Sequence, residues 1–363
     1  MERIFEYRMR PNRVQQAALF KVLTASRRLY NAALAEWHAH FEATGKYLNI
    51  YEQDKRYNKT TYPDVPAVVT DQVIKRLHRA LTTFFRGRKD GRAGGFPRFK
   101  PASRWNSIEF RNGPNTLAGR YFKTPKQCGG KIRVNVHRPL EGQFRFARIV
   151  RRPSGWYLQC VCAVEAKPLV ENDRAVGLDM GITYLVADSD GVTTENPRAY
   201  KHSLKRLAQA QQRLNRRAKG SRRWGKTAKD VARIHEKIAN QRKDALHKLS
   251  RAYVNQYQTI VIEDLQPANM VRNHALAQAI SDSSWGMLHA YLSYKAEEAG
   301  RTVEAVPAHF TSQRCSRCGD YVQKSLSVRS HVCQSCGFVA DRDVNAAINI
   351  LQARTGPSGK AQP

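Results

Sequence analysis

Three carboxylates in this 363-residue chain, each at the end of a strand-like run or the start of a helical one, have the type and spacing to do chemistry. The first is Asp179, which closes an apolar run within residues 174–190 (RAVGLDMGITYLVADSD) and is followed closely by Gly181. Val176 and Leu178 alternate with small residues up to it, and Ile182, Tyr184 and Val186 alternate after it to a turn at 189–191, the pattern of two antiparallel strands. The second is Glu263, which terminates the short apolar strand Ile260-Val261-Ile262 in TIVIEDL. The third is Asp343, opening a stretch of DRDVNAAINI in which Ala346, Ala347 and Ile350 recur at helical spacing. Two strand-end carboxylates and one at a helix start can converge on divalent metal. Hard oxygen ligands suit Mg²⁺, and paired ions roughly 3.5–4 Å apart stabilise the attacking and leaving oxygens of a phosphodiester displacement. A single aspartate after a strand is more often a turn residue or cap; the three together argue for a site.

A second chemistry resides in Cys315-x-x-Cys318 and Cys333-x-x-Cys336, separated by 14 residues and each followed by glycine (CSRCGD, CQSCGF). Four thiolates make a closed tetrahedral site for one structural Zn²⁺, and a redox motif needs only one pair. No neighbouring histidine is required as a ligand.

Composition narrows the partners. A net charge of +32, from 62 Lys and Arg against 30 Asp and Glu, exceeds what solubility needs and calls for a polyanion, nucleic acid. With 41% hydrophobic residues the chain can build two or three cores, so it is not a disordered protein. No uncharged apolar stretch approaches the roughly 20 residues that span a bilayer, and MERIFEYRMRPN lacks a signal peptide's apolar core. The cysteine usage fits a reducing cytoplasm; Cys128, Cys160 and Cys162 read as inert, the last two sharing one strand face.

The elements that must position these groups follow from periodicity. Residues 2–10 alternate Ile4, Tyr7 and Met9 with charges and read as a strand. A helix carrying Val14, Ala17, Phe20, Leu23, Leu29, Tyr30, Trp37 and Phe41 inward runs to Gly45, and a second spans 69–86 on the stripe Val69, Val73, Leu77, Leu81 and Phe84, with Lys75, Arg76 and Arg79 elsewhere. Residues 87–95 read as a basic linker. Segments 108–110, 121–123, 131–137, 144–150 and 156–164 alternate between turns, an antiparallel sheet or small barrel. Between Asp179 and Glu263 two helices present Leu204, Leu207 and Leu214, then Val231, Ile234, Ile238 and Leu246, while Lys and Arg crowd their other faces from Lys205 to Lys229 without interleaved acids. That crowding predicts nucleic-acid contact. A helix over 281–300, with Trp285, Leu288, Leu292 and Ala296 inward, and a strand over 302–306 complete a mixed sheet in which the Glu263 strand pairs parallel with the first.

The order LDMGI, VIEDL, two-pair cysteine module, DRDVNAAINIL resembles the split RuvC-type, RNase H-like nuclease of the TnpB proteins, encoded by insertion sequences and related to type V CRISPR effectors. The resemblance implies a catalytic, Mg²⁺-holding triad of Asp179, Glu263 and Asp343. Asp343 is chosen over Asp341 because the family's aspartate directly precedes x-Asn-x-Ala; Asn345 and Asn349 are supporting residues. The words RRLYNAAL and GFPRFK resemble the family's recognition lobe and its exit. The implied fold is a multidomain α/β and β protein. Residues 1–10 and 101–170 form a wedge-like β-barrel, 11–100 a helical recognition lobe with linker, 171–310 and 341–363 the RuvC-like nuclease, and 311–340 the zinc ribbon. Arg133, Arg138, Arg145, Arg148, Arg151 and Arg152 are then expected at RNA and DNA phosphates, and Arg314, Arg317, Lys324, Arg329 and His331 at the scissile strand.

The implied function is RNA-guided cutting of double-stranded DNA beside a short adjacent motif, by one monomer per structured guide RNA, in the cytoplasm at the nucleoid. A nuclease-inactive RNA-guided repressor is expected to have lost carboxylates, and all three are present. An RNA-independent transposase or resolvase is expected to carry its own reading module, and the pattern yields no helix-turn-helix.

Overall fold

The structure, a computed structural model, describes residues 1–57, 62–91, 94–111, 117–265, 270, 274–307, 311–323 and 328–354. The chain divides into two units, Met1–Val164 and Glu165–Pro363.

In the first unit, β1 (Glu2–Met9) is followed by α1 (Arg13–Thr44), α2 (Ile50–Arg56) and α3 (Ala67–Lys89), then by β2 (Ser107–Phe110), β3 (Leu117–Ala118), β4 (Tyr121–Lys123), β5 (Lys131–Asn135), β6 (Gln143–Arg152) and β7 (Gly155–Ala163). The strands form one antiparallel sheet in the order β2-β6-β7-β1-β5-β4-β3. The first strand therefore sits between strands that follow the helices by more than forty residues. Its buried face is Phe5, Tyr7 and Met9, and Ile4, expected inward, is 51% exposed. The reason is the strand's period of two, which forbids residues 4 and 7 from sharing a face.

Asn12 opens α1 with a capping box, accepting from the Gln15 backbone while the Gln15 side chain accepts from Asn12 N–H. Gly45 closes it in the left-handed region (φ 66°). Within α1 the buried stripe runs Leu19, Val22, Leu23, Ser26, Leu29, Tyr30, Ala33, Leu34 and Trp37, so Val14 and Phe20 face outward. α3 continues through Gly87 to Lys89, past the expected stop. Cys128, Cys160 and Cys162 are all buried, and burial pushes the thiols of Cys128 and Cys160 up to about 12, which leaves them unreactive.

The second unit comprises β8 (Ala175–Asp179), β9 (Tyr184–Asp188), β10 (Thr193–Glu195), α4 (Ala199–Asn215), α5 (Arg222–Gln256), β11 (Thr259–Glu263), α6 (His274–Ser283), α7 (Trp285–Ala299), β12 (Thr302–Val306), β13 (Ser330–Val332), β14 (Val339–Asp341) and α8 (Arg342–Ala353). Its five-stranded sheet has the order β10-β9-β8-β11-β12; β10, β9 and β8 pair antiparallel, and β11 pairs parallel with both β8 and β12. The helical pair α4 and α5 supplies the crossover that a parallel β8–β11 pair requires. Every residue of β11 is buried, because helices cover the sheet. Among the described residues no helix is long and apolar enough to cross a membrane.

The expected helix over 281–300 is two helices. Ser284 takes a left-handed conformation (φ 56°) and separates α6 from α7. The break is pinned by side chains distant in sequence: Asp282 accepts from the backbone N–H groups of Tyr200 and Lys201 at the start of α4 and from Arg242 (2.8 Å), and Ser283 accepts from Asn196.

α8 lies against β8 at a point where only glycine fits. A Cβ on Gly177 would stand 2.1 Å from the Ala347 carbonyl oxygen and 2.7 Å from the Leu351 nitrogen, both backbone. Gly177→Ala is therefore expected to destabilise the fold by about 3 kcal/mol or more, read as a lowered urea midpoint with an unchanged slope. A wild-type midpoint would show that α8 does not dock on β8 this closely.

Candidate active site and metal centre

The sheet brings two of the three carboxylates together through register. β11 pairs Thr259 with Ala175 and Ile262 with Leu178, so the next residues in line at the same end of adjacent parallel strands are Glu263 and Asp179. Asp343 joins them from the first turn of α8, the helix whose backbone touches Gly177 two residues before Asp179. Trp285 Nε1 donates to the Gly181 carbonyl and fixes the turn that follows Asp179.

Electrostatics identify these groups as one cluster. Burial first, then the charges of Glu263 and Asp343, push the Asp179 carboxyl well above the usual carboxylate range, against the pull of Arg342. Burial likewise raises Glu263, opposed by the Thr311 hydroxyl, which donates to Glu263 Oε1 at 2.6 Å. Asp343 is 5% exposed; its Oδ2 accepts from Arg329 (3.0 Å) and its Oδ1 from Arg342 Nε (3.0 Å) and Nη2 (2.8 Å). A buried carboxyl at Asp179, held up further by two neighbouring carboxylates, is a group a cation would relieve, and an all-oxygen donor set fits Mg²⁺. Asp341, by contrast, is spent as the α8 cap, accepting from the backbone N–H of Asp343 (2.8 Å) and of Val344 (3.3 Å).

The four cysteine sulfurs of Cys315, Cys318, Cys333 and Cys336 lie within 4.8 Å of one another, with 3.7 Å between Cys315 and Cys336 and 3.5 Å between Cys318 and Cys333. None is in a disulfide. With Zn–S bonds of about 2.3 Å a tetrahedron has sulfur–sulfur edges of about 3.8 Å, so the donor set fits zinc. The glycine after each pair takes a left-handed φ (Gly319 86°, Gly337 66°) and donates back to the first cysteine's carbonyl, forming two matching knuckles. Asn345 and Asn349 then have a defined place. Asn345 bridges the Arg314 carbonyl and the Ser316 N–H, and Asn349 donates to the carbonyls of Thr311 and Arg314, fastening the first knuckle to the helix that carries Asp343.

Some residues expected at nucleic acid lie elsewhere. His331 is fully buried, beside Phe338, because it faces inward from β13, so it cannot face the scissile strand. Lys324 lies outside the described residues, and Arg314, Arg317 and Arg329 are exposed. In the first unit Arg148 donates to Glu109 and Arg152 to Glu6, while Arg138 and Arg151 lie over Phe5 and Phe20. Lys75 pairs with Asp71 and Arg79 with Glu109. Along α4 and α5 a 750 Å³ groove is lined by His202, Arg206, Arg213, Arg233 and Lys237.

Sequence patterns missed Thr311 and the reach of Arg329 to Asp343 and Thr183. A hydroxyl or guanidinium in a loop carries no periodicity, and only the folded ribbon delivers it. Partners of this kind set metal affinity, so, where these carboxylates hold Mg²⁺, Thr311→Val is expected to raise the Mg²⁺ concentration for half-maximal activity about tenfold. An unaltered Mg²⁺ titration would remove Thr311 from the site.

A mixed sheet with carboxylates at one end, a carboxylate-bearing helix on its face and a four-cysteine ribbon defines a RuvC-type α/β protein. Comparisons with known proteins agree. Family models described as "Probable transposase", "Cas12f1-like, TNB domain" and "Helix-turn-helix domain" match residues 159–274, 285–350 and 1–46. A Streptomyces pristinaespiralis protein named "Putative RNA-guided DNA endonuclease" is 34% identical, covering 97% of this chain and 89% of its own length. InsQ of Escherichia coli K12, with the same description, is 32% identical over 96% of this chain and 91% of its own. A solved Cas12f1–sgRNA–target DNA complex shares the fold, with a TM-score of 0.60 at 14% identity over 93% of this chain and 82% of that one. The chain belongs to the OrfB/TnpB family. The segment matched by the model described as a helix-turn-helix domain, residues 1–46, folds here as β1 and one unbroken α1, so no helix-turn-helix is formed there.

Proposed function

We propose that this protein is an RNA-guided DNA endonuclease, a metal-dependent phosphodiester hydrolase that cuts double-stranded DNA matching a guide RNA beside a short adjacent motif. The observation that carries this reading is the register that aligns Glu263 with Asp179 while α8 adds Asp343, in a chain 34% identical to a relative so described. Asp179, Glu263 and Asp343 would hold Mg²⁺, which supplies an activated water and charge stabilisation at the leaving oxygen. The chain's own residues do the positioning. Thr311 orients Glu263, Arg342 holds Asp343, and the exposed side of Arg329 presents positive charge beside it. Zinc in the four-cysteine site would hold the ribbon shut.

On this reading the partners are a guide RNA with a structured scaffold and its DNA target, one monomer per RNA, acting at the nucleoid in the cytoplasm. The net charge of +32 supports a polyanionic partner. Residues 1–10 and 101–170 act as the wedge, 11–100 as the recognition lobe, 171–310 and 341–363 as the nuclease and 311–340 as the ribbon. The deciding experiment is to express the protein from its native locus with flanking DNA and sequence the RNA that copurifies. One dominant RNA, with a fixed scaffold and an end running into neighbouring sequence, is expected to program cutting of a matching plasmid. Degraded bulk RNA, with cutting indifferent to it, would mean an RNA-independent transposase or resolvase.

A further inference from the structure

Buried polar groups almost always find partners, so a cluster that lacks them points to a ligand. Four such atoms without a hydrogen-bond partner among the described residues gather where α1, α3 and β2 meet: Ser26 Oγ, Tyr30 OH, Gln72 Oε1 and Trp105 Nε1. Their side chains are 1%, 1%, 3% and 5% exposed. Ser26, Gln72 and Trp105 line a cavity of 280 Å³, and Tyr30, one helical turn beyond Ser26, sets its ring 5.2 Å from that of Trp105.

The rest of the wall sets Arg76, Arg79 and Arg148 beside Glu109, Ser107 and the aliphatic Val69, Val73 and Ile108. Arg76 lies over the Trp105 ring at 4.4 Å and, among the described residues, hydrogen-bonds only to the Ser107 hydroxyl, at 3.4 Å. Arg79, Arg111 and Arg148 all share Glu109, at 3.5, 2.8 and 2.8 Å. Three guanidiniums of the wall, Arg76, Arg79 and Arg148, thus stand against one carboxylate, Glu109, which Arg111 also reaches from outside the cavity, and burial together with Arg148 weakens the hold of Arg76 on its proton. Donors also dominate the unpaired atoms. Ser26 and Tyr30 offer O–H, Trp105 offers N–H, and Arg76 has donors to spare, whereas the single obligate acceptor is Gln72 Oε1, held in place because its Nε2 donates to Asp71. That is the complement of a small oxyanion bearing one hydroxyl. A volume of 280 Å³ has room for a phosphate group together with ordered water.

We propose that this cavity binds a phosphate-type oxyanion through Ser26, Trp105 and Arg76, supplied either by a nucleic-acid phosphate or as free orthophosphate. Only the first source rests on the nuclease reading, where the site would tie a phosphate of the bound strand to the joint of α1, α3 and the sheet.

The test titrates inorganic phosphate into full-length protein freed of nucleic acid, followed by calorimetry and ³¹P line broadening, with chloride at matched ionic strength as control. Saturable binding of phosphate but not chloride is expected. Arg76→Gln should weaken it at least about tenfold, because a charge-assisted contact is lost. Trp105→Phe, which keeps the ring and removes the N–H, should weaken it by a smaller factor and guards against misfolding of the first variant. Displacement of orthophosphate by an oligonucleotide, with or without a 5′-phosphate, assigns the nucleic-acid source; no displacement assigns the free anion. The proposal is overturned by the absence of saturable binding, by equal binding in both variants (an adventitious ion only), or by a crystal structure at saturating phosphate with waters alone in the cavity. RNA-programmed cutting by the wild-type protein, assayed separately, fails or succeeds independently of this result.

Discussion

Replacing Asp179 by alanine is expected to lower DNA cutting by at least about a thousandfold while leaving RNA and DNA binding within about twofold. Loss of a carboxylate from a metal-binding triad forfeits several kcal/mol of transition-state stabilisation, and each 1.36 kcal/mol is a factor of ten in rate. Among the described residues no hydrogen bond or ion pair holds this side chain, which ends β8 beside like charges. Removing it relieves the repulsion it shares with Glu263 and Asp343, so the variant should melt no lower than the wild type, as when an active-site charge is given up for stability. The experiment is single-turnover cleavage of a target plasmid, with filter binding on the same preparation. Cutting that survives in the variant would move the catalytic site elsewhere; loss of both cutting and binding would mean that Asp179 holds structure instead.

What could be read from the chain and what could not divide along the range of the interactions. Asp179 and Glu263 were readable because each ends a run of consecutive apolar residues, and burial on both faces of a central strand writes itself into adjacent positions. The parallel pairing followed from the length of the intervening helices, although the alignment of the two carboxylates depends on register, which no local pattern contains. The choice between Asp341 and Asp343 came from family resemblance; the physical reason is the cap that consumes Asp341. Other features depend on groups far apart in sequence. The break at Ser284 needs Asp282 to find the start of α4 and Arg242, and helical periodicity runs through 281–300 as if neither existed. Thr311 and Arg329 reach the site only because the ribbon is folded over it. In β1 the difference is local, since Ile4 is as apolar as the residues that face the core but stands on the opposite side of the pleat.

Removing the zinc site is expected to have the second large effect, through geometry alone. Cys315→Ser, or treatment with a strong chelator, replaces a closed four-thiolate site by three ligands or none, and structural zinc supplies folding energy that a ribbon with so small a core cannot replace. The first knuckle should then detach from α8, because Asn345, Asn349 and Gln352 bond to its backbone at Arg314, Thr311 and Ser316. With it go the Thr311 hydroxyl on Glu263 and the Arg329 guanidinium on Asp343, while the sheet and the three carboxylates keep their own supports in β8, β11 and α8. Cutting should therefore fall at least about a hundredfold, the upper range for loss of groups that orient metal ligands. Hydrogen exchange should lose protection over 311–341 and retain it in β8 and β11. Metal analysis of the untreated protein should find one zinc per chain. Full cutting by protein verified to be zinc-free would show that the ribbon does not position the site. Loss of protection throughout the second unit would instead make zinc a support of the whole nuclease fold.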